Sequence, residues 1–97
     1  MDIEYDPVAN RATLMAHAAW WNLWLTRPDG KPATPYRFSR DRVGGIIGAD
    51  RLTDDDEVTR FFERTLIEVG YSVRREDGPF PAQPDCIAVW SLAPGSN

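Results

Sequence analysis

The chain has 97 residues, is 42% hydrophobic with four Trp, and carries 15 acidic against 11 basic side chains for a formal net charge of −4. That length and composition fit one globular domain spanning 1–97 and exclude general disorder. The single cysteine, Cys86, excludes an internal disulfide, and one cysteine with one histidine, His17, is too few for a structural metal site.

Met1–Asp6 is a polar lead without the basic and apolar regions of a signal peptide, so cytoplasmic residence is the expectation. Residues 1–6 and 93–97 are expected to be flexible ends. Pro7–Thr26 is predicted as a first helix, with Asp6 as N-cap and Pro7 at the first helical position. Leu14, Ala18, Trp21 and Leu25 form one stripe on it. Trp20 and Trp24 lie on a neighbouring stripe with Thr13 and His17, either closing the edge of the core or anchoring a partner. The apolar run Ala16–Leu25 is too short to span a bilayer and is broken by His17 and Asn22, so no membrane segment is expected.

Arg27–Pro35 is turn chemistry, with a tight turn at Pro28-Asp29-Gly30. Tyr36–Phe38 alternates and predicts a short strand. Ser39 then caps a second helix, Arg40 to about Ile47, with Val43, Ile46 and Ile47 as its apolar positions and Gly48 as its stop. Gly44 and Gly45 cost about 1 kcal/mol each relative to Ala inside a helix, which suits a place where another backbone comes close. Ala49–Leu52 is a turn.

Thr53–Gly70 is the strongest helix signal. Val58, Phe61, Phe62, Thr65, Leu66 and Val69 recur at helical spacing. Thr53 is the expected cap, Asp54, Asp55, Asp56 and Glu57 suit the positive end of the helix dipole, and Gly70 is a left-handed stop. Thr59, Arg60, Glu63, Arg64 and Glu68 are assigned to the water face. Tyr71–Arg75 and Cys86–Leu92 read as two strands of a hairpin around the proline-rich loop Glu76–Asp85.

This order, α-β-α-α-β-β, resembles an α+β winged helix-turn-helix domain over Val8–Leu92. The likeness rests on Phe38-Ser39-Arg40 opening the second helix and on Phe62 through Leu66 to Gly70-Tyr71 leading into a strand. It implies three helices with a C-terminal two-stranded hairpin, a recognition helix at Thr53–Val69, a wing at Glu76–Asp85, and a small DNA-binding transcription regulator. Arg40, Arg42, Thr59, Arg60, Arg64, Arg74 and Arg75 are then the candidate contacts to duplex DNA, and the Trp-rich first helix is a candidate homodimer face. The departure is the start of the recognition helix, where four carboxylates would meet phosphate. Val43–Gly48 is also similar to the V-G-x-I-I-G that opens the nucleic-acid loop of KH domains. Gly48 is followed by Ala49-Asp50-Arg51, so the second loop glycine is missing and an acid sits in the loop, and the segment reads as helix composition.

A protein-binding module or inhibitor, of the kind phages encode, is the alternative on the same scaffold. Its candidate contacts are Trp20, Trp24, Asp54, Asp55 and Asp56. No nucleophile–base pair, metal cluster or phosphate loop is legible, so the expectation is a non-enzyme without cofactor.

Overall fold

The computed structural model describes residues 3–29, 34–76 and 85–95. Three strands come first, β1 (Arg11–Ala16), β2 (Trp20–Thr26) and β3 (Thr34–Ser39). Two helices follow, α1 (Arg40–Ile47) and α2 (Asp55–Val69), separated by a 3-10 turn at Ala49–Arg51. The chain returns as β4 (Tyr71–Arg75) and β5 (Cys86–Pro94). All five strands form one antiparallel sheet in the order β3-β2-β1-β5-β4. The helices carry the chain from one sheet edge to the other and cover one face on the way.

The winged-helix expectation is therefore overturned. Pro7–Thr26 holds a β-hairpin instead of a first helix, and among the described residues the order becomes β-β-β-α-α-β-β with two helices, not three. The expected dimer face on that helix goes with it. The residues explain the error. In β2 every second side chain is buried: Trp21, Leu23 and Leu25 point to the helices, and Trp20, Asn22 and Trp24 point away. Apolar residues on both faces hid the period of two behind an accidental helical stripe. The β1–β2 connection is the pair Ala18-Ala19, closed by the His17 N–H donating to the Trp20 carbonyl at 2.9 Å. It lacks the glycine or asparagine that usually marks a hairpin. Asp6 does accept from the backbone N–H of Val8, but it closes a local turn and starts no helix.

From Tyr36 to Arg75 the local reading and the structure agree closely. Ser39 caps α1 through the Arg42 N–H, and Gly48 ends it. Asp54, not Thr53, caps α2, because its carboxylate accepts from the N–H groups of both Asp56 and Glu57. Gly70 closes α2 at φ 131°, a backbone conformation that side chains rarely adopt. The β4–β5 pairing is as expected, with β5 running on to Pro94. The wing assigned to Glu76–Asp85 lies outside the described residues from 77 to 84.

The core lies between α2 and the sheet. Phe62 is fully buried and meets Phe38, Phe61 and Trp21 edge-on, at ring distances of 5.1, 5.1 and 6.2 Å. Aromatic pairs favour that geometry. Trp90 is also fully buried, and its indole N–H donates to Glu63 at 2.9 Å, tying α2 to β5. Ile3 joins this core from the N-terminal segment. Among the described residues no helix is long and apolar enough to cross a membrane.

Candidate functional site

The helices cover one face of the sheet only. Strand alternation and cross-strand register assign the other face. From β3 it carries Pro35 and Arg37, from β2 Trp20, Asn22 and Trp24, and from β1 Arg11, Thr13 and Met15. Val89 and Ser91 follow on β5, and Arg74 on β4. Val89 is nearly inaccessible yet stands outside the core cluster, as a residue on this face should. No described helix or strand packs on it.

Trp20 and Trp24 are both half-buried and lie on this face two alternations apart. The Arg37 guanidinium sits 4.4 Å from the centre of the Trp20 ring, a cation–π contact. The His17 ring lies 5.5 Å from the same indole, and Asn22 Nδ2 donates to His17 Nε2 at 3.2 Å. The Trp20 indole N–H is shielded from solvent and has no hydrogen-bond partner among the described residues. A buried donor left unmade costs about 1–3 kcal/mol. Arg11 pairs with Glu76 at 3.3 Å, and Ser91 donates to the same carboxylate.

The arginines assigned to DNA do not form one patch. Arg40 lies over the Trp21 ring and donates to the Leu52 carbonyl, while Arg42 lies over Phe38. Arg60 is paired with Asp56 at 2.8 Å and approaches Glu57 at 4.0 Å. Arg75 is paired with Asp56 and Glu63. Arg64 is exposed beside a groove of about 340 Å³ between α1 and α2, which also carries Arg51, Glu57 and Glu68 and so has no net sign. Arg74 points to the opposite side of the sheet from all of these. Thr59, placed on the water face, is 4% exposed; its hydroxyl donates to the Asp55 carbonyl.

The two halves of the protein-binding set also separate. Asp54 is a helix cap, Asp56 is in ion pairs, and the Asp55 side chain is exposed, all on the helix side. Trp20 and Trp24 lie across the sheet from them. Sequence reasoning named the two tryptophans but not Arg37, Met15 and Asn22, which the fold sets on the same face. The alternation that sets them on one face is in the burial of β2 and is masked in its sequence by apolar residues on both sides.

Cys86 and His17 come to the same end of the sheet, through the Met15–Cys86 pairing and the Ala16–Asp85 backbone bond. No hydrogen bond joins them: Cys86 Sγ donates to the Ala88 carbonyl, and His17 is held by Asn22. Burial pushes the Cys86 thiol up, which keeps it protonated and a poor nucleophile. Among the described residues no group of three or more His, Cys, Asp or Glu is placed to hold a metal ion. The chain matches no protein-family model, no curated protein and no solved structure.

Proposed function

We propose that this chain is a non-enzymatic binding protein that takes its partner on the helix-free face of the sheet. The observation that carries the reading is the outward placement of Trp20 and Trp24 on one strand, with Met15, Asn22 and Arg37 beside them and no described element over them. Tryptophan and arginine supply much of the binding energy at interfaces when a partner desolvates them. A sheet with one face covered ordinarily presents polar side chains on the other. Two indoles on that face serve the fold little, since the core is complete without them. This surface is preferred to the arginine set read for duplex DNA because those arginines are already engaged elsewhere or lie on separate sides.

The test compares two variants of the full chain as bait from cells that make it. Trp24→Ala is expected to lose the co-purifying partner with thermal stability little changed. Changing Asp54, Asp55 and Asp56 together to Asn is expected to retain it. The opposite pattern would move the binding surface to the helix side and end this proposal.

A further inference from the structure

Resting on that reading of the face, we propose that its ligand is single-stranded nucleic acid. The first observation is how charge divides. The helical segment 40–69 carries eight carboxylates against five arginines. Among the described residues, the helix-free face carries Arg11, Arg37 and Arg74 against the carboxylate of Glu76, itself paired with Arg11. An acidic chain thus turns a basic face outward, and a polyanion is steered to that face and away from the helices.

The second observation is the indoles. Among the described residues Trp24 makes no ring contact; it is half-buried, and its cross-strand neighbours, Thr13 and Pro35, are small and uncharged. Trp20 is already occupied by Arg37 and His17. Trp24 is therefore the ring free to stack a base, and Arg37 and Arg74 are the cations for the backbone. From β3 to β4 is four strand spacings, about 19 Å, so one strand of nucleic acid crossing the sheet would meet Arg37, Trp24 and Arg74 in turn. Stacking a base on an indole needs unpaired bases, so the single strand is the form that fits.

The experiment titrates the full-length chain into fluorescent single-stranded DNA and RNA oligonucleotides of mixed sequence, the matching duplex, and a polyglutamate peptide. Single strands are expected to bind at low salt and to weaken as salt rises. The log–log slope is expected at about −1.4, near −0.7 for each of two phosphate contacts. Arg74→Ala should flatten the slope by about 0.7. Trp24→Ala should weaken binding by roughly tenfold or more, and Trp24→Phe should keep most of it. Equal or tighter binding of polyglutamate would give the face to an acidic protein, leaving the binding surface standing and the ligand wrong. Duplex preference, no binding at low salt, or affinity unmoved in a folded Trp24→Ala variant would each overturn the nucleic-acid proposal.

Discussion

Trp90 and Trp24 are the same side chain put to two uses, and the difference lies in which sheet face each meets. Trp90 is enclosed and its N–H is matched to Glu63; Trp24 is half-buried on the other side. Truncation should separate the faces. Phe62→Ala, at the centre of the aromatic cluster, is expected to cost about 3–5 kcal/mol in urea unfolding. Trp24→Ala should cost well under half of that. Tyr71 gives a second residue-level prediction. Its hydroxyl donates to the Asp6 carbonyl and accepts from the Asp6 N–H, at 3.0 and 2.7 Å. Burial raises its pKa above the ordinary value near 10, against the lowering effect of the bond to Asp6. The folded state then holds that proton more tightly than the unfolded chain does. The associated stability is complete below pH 10 and is lost as pH climbs through the folded value. Cys86 acts with the same sign from about 9 upward, so the comparison belongs in a Cys86→Ala background. There, Tyr71→Phe is expected to remove the alkaline loss of melting temperature. It should also cost about 1 kcal/mol at neutral pH through the Asp6 N–H it leaves unpaired.

Within the helices, the two glycines of α1 have different neighbours. A methyl group at Gly44 would come within 3.1 Å of Leu52 Cδ1 and 3.5 Å of Ala49 Cα, whereas at Gly45 it would meet nothing within 4 Å. The close backbone approach expected of the pair is not found: the tight neighbour of Gly44 is the Leu52 side chain, and Ala49 Cα stands at ordinary contact distance. Gly45→Ala should therefore raise stability by about 0.5–1 kcal/mol, and Gly44→Ala by less or not at all, as thermal melts would show. At the start of α2, Asp54→Ala removes the acceptor for two N–H groups and is expected to cost about 0.5–2 kcal/mol. Thr53→Ala should cost little, which would confirm that the cap sits one residue later than sequence placed it. Asp56, Arg60, Glu63 and Arg75 form a charge chain from α2 to β4, and breaking it at the exposed Arg60 or Arg75 is worth at most about 1 kcal/mol.

At the scale of the whole molecule, the sheet is built from segments far apart in the chain. β1 is hydrogen-bonded on both edges, to its neighbour β2 and to the C-terminal β5. Amide exchange should be slowest in β1 and the β5 residues facing it, and faster in the edge strands β3 and β4. Uniformly fast exchange across 11–26 would show that this segment does not belong to a central hairpin.

Residues 36–75 could be read from sequence because their signals are local. The Ser39 and Asp54 caps, the stops at Gly48 and Gly70, and the Phe61/Phe62/Leu66 stripe each act within one or two turns of backbone. Residues 11–26 could not, because their fate rests on partners up to eighty positions away, such as Trp90 opposite Ala12. Sequence determined the two helices, the short strand before them and the strand pair after them. Tertiary pairing alone decided that Trp21 faces the core while Trp20 and Trp24 face outward, since a strand's two faces are told apart only by what comes to cover one of them.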